Sequence, residues 1–467
     1  CHPHVSIYYS RPAGCRAGVD AQMMKPQTVP PGPRGFQVLT GSMHFARNPL
    51  GYMQYVVKKY GDAVLLTAPN GGSFYLFSHP AQIEEILVKK NNYFKKDIFT
   101  RRLSEILGRG LLTSDGEHWL RQRRLIQPVF SRERVQSYSS FVLDYAKECA
   151  EKWEDGSTIE IHHAMMNLTL RIIVRAIFQI EAEHFSERVG AALEAVMQHQ
   201  AFRLKFPAPA FLTTTRLLSI NRRYTRSLGE LDQIISEIQK EAMSQNEEAH
   251  NSLLEALASA KDESGSMDEK QIRDELMTIL LAGHETTANA LTWTFILLSQ
   301  NPACYGRLIQ EVAALSSIDF QSLYSLPYAE AVIKESMRMF PPAWSIGREV
   351  VEECEIGGFR LTTGTQVGMM QFITHRDSRF FENPDEFQPE RWLDGKEKNL
   401  PRFAFFPFGG GQRMCVGSNL AMMEAVLCLA QITKRVKLTL DPSSDVRPFA
   451  SITLRPRGPV HMKVEQL

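Results

Sequence analysis

Between Ser266 and Gln300 the sequence holds one continuous helical run with no polar face. Ile279, Leu280, Leu281, Leu291, Trp293, Phe295, Ile296 and Leu297 fall all round it. A helix that is apolar on nearly every side cannot lie on a surface, so it has to cross the middle of a sizeable helical protein. Ser266-Met-Asp-Glu269 reads as the capping box that opens it, and Asn301-Pro302 stops it. At its centre stands Ala282-Gly-His-Glu-Thr-Thr287. Glu285 and Thr286 are costly in such surroundings unless hydrogen-bonded. Ala282 and Gly283 remove bulk just before them, and a threonine hydroxyl can turn to an earlier carbonyl and loosen the helix. The plain account is a kinked helix with a satisfied polar pair. The functional account is a small pocket in which acid and alcohol relay protons. His284 reads as structural or solvent-facing.

A second stretch, Phe408-Gly-Gly-Gly-Gln-Arg-Met-Cys-Val-Gly417, carries reactive chemistry. Three consecutive glycines leave no side chain over the loop, so its backbone can approach a flat ligand. Phe408 supplies an apolar lid, and Arg413 a fixed cation two residues before Cys415. The residues after Cys415 read as a helix, which sets the sulfur at a helix N-terminus. Orphan N–H groups and the helix dipole stabilise an anion there, so Cys415 is expected to ionise easily. A thiolate in a dry glycine-rich loop suits haem iron as an axial ligand. The plain alternative is a buried free cysteine beside a turn.

Phe-x-x-Gly-x-Arg-x-Cys-x-Gly is complete here and resembles the haem-ligand signature of the cytochrome P450 superfamily, with Cys415 as the metal ligand and Gly417 closing the motif. Ala-Gly-x-Glu-Thr-Thr resembles that family's oxygen-activation motif, which implies that Ala282 and Gly283 border the haem and that Glu285 and Thr286 are catalytic. Trp119 and Arg123 lie one helical turn apart, so an indole N–H and a guanidinium can share a carboxylate. The resemblance makes that carboxylate a haem propionate and adds Arg413 and Arg348 to its partners. Arg121 and Arg124 fall on other faces, toward solvent or an acidic redox partner. Glu335 and Arg338 also stand one turn apart, and Phe387-Gln-Pro-Glu-Arg-Trp392 resembles the family's meander. Arg391 would then complete a structural Glu335–Arg338–Arg391 triad on the cysteine side of the haem.

The implied architecture is the cytochrome P450 fold, mainly α with small β-sheets, as one haem domain over residues 30–467. Residues 1–29 are expected to be a tail, tag or upstream residue. Cys1 to Gln22 have no apolar core, so they are neither signal peptide nor membrane span, and Met23 or Met24 offers a natural start. Pro30-Pro-Gly-Pro33 resembles the segment after the membrane anchor of microsomal members. No anchor precedes it here, so a soluble cytoplasmic enzyme is expected, with a removed anchor as the alternative. The seven cysteines lack short spacings and read as thiols in a reducing compartment. A net charge of +1 argues against nucleic acid as the partner.

Along the chain, Val64 to Phe77 reads as a hairpin with its turn at Pro69-Asn-Gly-Gly, and Pro80 to Lys90 as a helix. Phe94 to Glu117 has no clean period. Phe141 to Glu248 reads as helix throughout, broken near Glu154-Asp-Gly156 and near Lys205 to Pro209, where Phe202, Phe206 and Phe211 flank a presumed lid. Pro327 to Phe340 is a helix ended by Pro341-Pro342, Ala343 to Ile346 a strand beside the haem, and Glu355 to Met370 short strands. One helix and a terminal hairpin around Ser451 to Leu454 follow Cys415.

The resemblance implies a haem-thiolate monooxygenase holding heme b (iron protoporphyrin IX) and inserting one oxygen atom of O2, its co-substrate, into an organic molecule. No reductase is fused, so electrons are expected from a ferredoxin- or flavodoxin-type donor with its NAD(P)H reductase, the enzyme itself being a monomer. The expected pocket residues, Leu280, Leu281, Ala343, Trp344, Ile346 and Ile452, are apolar and point to fatty-acid, terpenoid or carotenoid substrates. Two other readings share the fold: a peroxide-driven or rearranging haem enzyme, and a non-catalytic haem-thiolate sensor or carrier.

Overall fold

The computed structural model describes residues 29–67, 71–181, 185–205, 218–245, 253–262 and 265–467. All of the tail expected over 1–29 except Val29, the tip of the first hairpin, most of the expected lid with Phe206 and Phe211, Cys1 and Cys15 lie outside the described residues. The five described cysteines, at 149, 304, 354, 415 and 428, are all free thiols.

Helices dominate the chain. The longer ones are α1 (Phe36–Arg47), α2 (Pro49–Tyr60), α3 (Gly116–Ile126), α4 (Arg132–Glu151), α5 (Ile161–Phe178), α6 (Ser186–Lys205), α7 (Ser219–Gln245), α8 (Glu269–Gln300), α9 (Pro302–Ala313), α10 (Pro327–Met339) and α11 (Ser418–Thr433). Helix α8 runs between two apolar cores. One side packs Leu291, Phe295 and Leu298 against α4, α5 and α11. The other packs Leu276, Met277 and Leu280 against α5, α6 and α7. A cylinder buried on both sides has to be apolar all round, which is what its composition required. Gly283 allows the close crossing of α5, since a Cβ there would come within 3.0 Å of Ile173 Cδ1.

The helix opens two residues later than the sequence suggested. Asp268 is the N-cap: it accepts from the Gln271 amide, and the Gln271 side chain accepts from the Asp268 N–H. Ser266 instead pairs with Lys261 in a two-residue ladder. Two overlapping Ser/Asp-x-x-Glu/Gln patterns compete at this point, and the extended backbone of Asp268 decides between them. The long helical stretch after Phe141 also differs from expectation. It contains a short strand, β4 (Thr158–Glu160), and an unforeseen break after Phe178, where Gln179 takes a left-handed conformation and ends α5.

A five-stranded sheet stands beside the helices. Its strands are β1 (Ala63–Thr67), β2 (Ser73–Phe77), β3 (Phe94–Lys96), β5 (Ile346–Val350) and β6 (Gln366–Met369), in the order β1-β2-β6-β5-β3. Only the β2–β6 pair is parallel. The strand expected from Ala343 starts at Ile346, because Pro341-Pro342 leaves Ala343 to Ser345 irregular. The expected helix at Pro80 widens into a π-helical turn over Glu85–Lys89. Near the C-terminus, β7 (Val436–Leu440) pairs with β10 (His461–Gln466), and β8 (Pro448–Ala450) with β9 (Leu454–Pro456). The residues Ser451 to Thr453 form the tip of this last hairpin rather than a strand. That tip is pinned where the cores meet: Trp344 Nε1 donates to Ser451 O, Trp293 Nε1 to Leu454 O, and Leu454 N to Pro342 O. Among the described residues no helix is long and apolar enough to cross a membrane.

Candidate haem-thiolate site

The cysteine loop is closed on itself. Cys415 N donates to Phe408 O at 2.9 Å, and a short 3-10 turn over Gly411–Arg413 lies between them. Gly411 has φ +66°, and a Cβ there would sit 2.0 Å from Leu87 O, so the loop packs on the π-helical turn only because this residue is glycine. The glycines therefore serve the protein side of the loop, which the sequence reading had not anticipated. Phe408 is half-buried against the larger core. Helix α11 begins at Ser418 with Gly417 as N-cap, so Cys415 precedes the helix as expected.

The ease of ionisation is not as expected. Cys415 is exposed, yet protein surrounds it on most sides, and that crowding pushes its thiol pKa up. The Gly417 N–H and the Arg123 guanidinium pull it back down without cancelling the desolvation. A helix N-terminus alone does not make this thiol acidic.

Arg123 Nη1 donates to Met414 O at 2.7 Å, which ties α3 to the loop. The Arg413 guanidinium stacks over the Trp119 ring at 4.2 Å, so the Trp119–Arg123 pair is joined by a third member. Arg413 Nη2 also meets Asp115 Oδ1 at 2.6 Å, and Nη1 donates to Ser114 O at 3.2 Å.

Two further cations converge on Arg413. Lys96 on β3 lies directly opposite Arg348 on β5 in the ladder, and both are buried. Like charges facing each other across strands repel. Burial, then Arg348 and Arg413, push the Lys96 ammonium well below its ordinary range. Burial and Arg413 bring Arg348 down to about 10, while Asp97 and Asp115 oppose the shift. The two carboxylates are already engaged: Asp97 caps the helix that follows it, and Asp115 accepts from Arg413 and the Lys96 amide. Arg348 Nε is buried and has no hydrogen-bond partner among the described residues. Three crowded cations against two occupied acids suit a ligand that brings its own carboxylates. Lys96 was missed in the sequence, where its place opposite Arg348 is invisible.

On α8 the chain becomes accessible just where small residues occur. Ala282 is exposed, and Leu281, Gly283 and Thr286 are half-buried in a stretch that is otherwise buried from Asp274 to Leu298. Thr286 Oγ1 donates to Ala282 O at 2.6 Å, the back-bond anticipated for it. The Glu285 side chain is buried and accepts from Thr453 Oγ1 at 2.5 Å. Burial raises its pKa, against the Thr453 bond and Arg455. His284 is not solvent-facing. It is buried with Nε2 3.0 Å from Met166 O, so Nε2 carries the proton, and burial holds its pKa down to about 4.

Glu335 and Arg338 are wholly buried and make a two-point contact of 2.8 and 2.9 Å. Arg391 Nε reaches Glu335 Oε1 at 3.3 Å. The sequence reading had not foreseen two more donors, Trp392 Nε1 and Gln388 N, both at 2.9 Å. Among the expected pocket residues, Ala343 is exposed and Leu281, Ile346 and Ile452 are half-buried. Leu280 and Trp344 are instead packed in core clusters.

An accessible thiol on a closed glycine loop, a buried cation surplus reaching it through Arg413, and an opening in the central helix fit a haem-thiolate protein. The family model for cytochrome P450 matches residues 30–464, and the chain belongs to that family. Cyclooctatin synthase of Streptomyces melanosporofaciens is 34% identical over 442 residues, covering 93% of this chain and 95% of that protein. Cyclooctat-9-en-7-ol 5-monooxygenase of the same organism is 32% identical, covering 90% and 92%. Pentalenene oxygenase of Streptomyces avermitilis is 30% identical, covering 90% and 94%. The protein is a cytochrome P450 monooxygenase: it uses a haem-thiolate cofactor and dioxygen, oxidises an apolar organic substrate, and draws electrons from a redox partner.

Proposed function

We propose that this enzyme hydroxylates a terpenoid-class hydrocarbon or alcohol, with Cys415 as the iron ligand of a heme b. Arg413, stacked on Trp119 and near enough to Lys96 and Arg348 to depress both, is the observation that carries the site assignment, because it links the thiol loop to the cation surplus. Arg123, Arg348, Arg413 and Lys96 would hold the propionates, with the Trp119 ring steadying Arg413. The bound haem supplies the redox chemistry that activates dioxygen. The chain's own part is to hold the thiolate, keep bulk water out and manage protons. Thr286 presents a hydroxyl beside the opening at Ala282, and Glu285 is the nearest titratable group along the helix. The Glu335–Arg338–Arg391 triad is structural.

For the substrate, support comes from the relatives named for pentalenene and cyclooctat-9-en-7-ol and from the apolar Leu281, Ala343, Ile346 and Ile452. A charged ligand would find no partner among these four side chains. The electron donor is proposed to be a ferredoxin or flavodoxin served by an NAD(P)H reductase, and the enzyme a cytoplasmic monomer.

Two measurements test the reading. Cys415→Ser should lose the red-shifted Soret band of the reduced carbonyl complex, because a serine hydroxyl stays protonated near neutral pH. Retention of that band would assign the ligand to another cysteine. A screen of terpenoids, fatty acids, carotenoids and small polar acids by Soret shift should favour the terpenoids, and binding confined to the polar acids would overturn the substrate class.

A further inference from the structure

Glu285 and Thr286 are adjacent in sequence, but no hydrogen bond joins their side chains among the described residues. The hydroxyl of Thr286 is turned to Ala282 O, whereas the carboxyl of Glu285 is turned to the tip of the β8–β9 hairpin. There Thr453 Oγ1 donates to Glu285 Oε1 at 2.5 Å and accepts from Asn289 Nδ2 at 3.1 Å. Asn289 lies one turn beyond Glu285 on α8. Its Oδ1 stands 3.1 Å from His162 Nε2, on the first turn of α5, so the imidazole donates. Glu285, Asn289 and Thr453 are buried, and His162 is half-buried.

The direction of each bond follows from the inventory of donors. Asn289 spends its oxygen on His162 and an N–H on Thr453. Thr453 has one proton, and with Asn289 donating to its oxygen that proton is left for Glu285. An amide N–H is far too weakly acidic to pass protons, so His162–Asn289–Thr453 is an orienting chain rather than a proton path. Its output is the placement of one carboxyl.

We propose that Thr453 is a positioning residue for the oxygenase reaction: oriented by Asn289 and His162, its hydroxyl holds the Glu285 carboxyl at the hairpin tip, and proton delivery to Thr286 requires that bond to be exchanged. This rests on the reading that Glu285 and Thr286 manage protons. The bond also sets the proton affinity of Glu285, because a donor to the ionised form offsets part of the desolvation. The other charged groups acting on this carboxyl are Arg455 from β9, which lowers its proton affinity, and Glu194 of α6, paired with Arg455, which raises it; His162 of α5 lies beyond Asn289, beside Glu160. His284 on α8 directs its ring to Met166 O instead.

The test is an infrared titration of the haem-loaded ferric protein. The carbonyl stretch of a protonated acid is assigned to Glu285 by its loss in Glu285→Gln. Thr453→Val should raise the proton affinity of Glu285 about tenfold, moving the titration midpoint up by about one pH unit. Thr453→Ser should restore it. The pH at which product formed per reductant consumed changes should move in the same direction. Asn289→Ala removes the amide that orients Thr453 and that also acts directly on Glu285, and should give an upward shift as well. If Thr453→Val does not fold, Thr453→Ala decides the matter. A midpoint unchanged from wild type in the folded variants overturns the proposal. The carbonyl-complex spectrum of each variant is read alongside, so that a failure of the thiolate assignment is seen separately.

Discussion

Thr286 makes one short bond, to Ala282 O, and that bond keeps a hydroxyl at the accessible part of α8 without exposing a charge. Removing it leaves the thiol loop and the propionate partners untouched, since among the described residues none of them shares a hydrogen bond with Thr286. Thr286→Ala should therefore bind haem normally, keep consuming reductant, release hydrogen peroxide and form less product. Losses of a positioned proton donor are about 10²–10⁴-fold. Product, peroxide and reductant measured together check this, and wild-type coupling would assign proton delivery to another group. The back-bond of Thr286 was readable in the sequence because it is local, spanning four residues. The bond from Thr453 to Glu285 spans 168 residues and was not. The same contrast separates Trp119–Arg123, visible as one helical turn, from Lys96 opposite Arg348, which depends on strand register. Thiol acidity was misjudged for a related reason: the helix end is written in the sequence, but the crowding around Cys415 is created by tertiary packing.

Helix α10 is fastened to the chain around residues 383–392 largely through one buried pair, Glu335 and Arg338. Glu335 accepts from Arg338, Arg391, Trp392 Nε1 and Gln388 N, while Arg338 also donates to the carbonyls of His375, Pro384 and Glu386. Glu335→Ala would strand the fully buried Arg338 without its counter-charge, and breaking a buried pair from one side costs about 3–5 kcal/mol. The expected outcome is poor haem incorporation and a lowered melting temperature, with normal turnover per haem retained. Soluble, fully loaded and thermally unchanged protein would show that the three neighbouring carbonyls suffice for Arg338. At this scale the long elements were legible: α8, α10 and α11 stand where periodicity and prolines put them. What escaped were features decided by competition between neighbours, such as the capping box at Asp268, the π-helical turn at Glu85–Lys89, and the left-handed end of α5 at Gln179.

Taken as a whole, the molecule buries acids and imidazoles whose titrations tilt its stability in opposite directions. Glu275 on α8 is wholly buried; burial first, and Asp274 beside it, push its pKa up to about 8, while the Leu111 N–H donating at 2.9 Å opposes the shift. Burial pushes Glu424 on α11 the same way. A raised folded-state pKa means that the native chain binds more protons than the unfolded one, so stability is fully present below the ordinary carboxylate range and is lost as pH rises toward 8. His284, held down to about 4, has the reverse sign and acts only as pH falls below the ordinary imidazole value. Between about pH 6.5 and 8 Glu275 therefore contributes a slope of about 1.4 kcal/mol per pH unit. By pH 7 the accumulated cost of Glu275 is on the order of 3 kcal/mol. Glu275→Gln keeps an oxygen for the Leu111 N–H and removes the titration. It should melt at a higher temperature than wild type at pH 8, by a margin that shrinks as the pH is lowered toward 5. If the variant's melting temperature ran parallel to wild type across that range, Glu275 would already be ionised in the folded protein, and burial at the start of α8 would not be setting its charge.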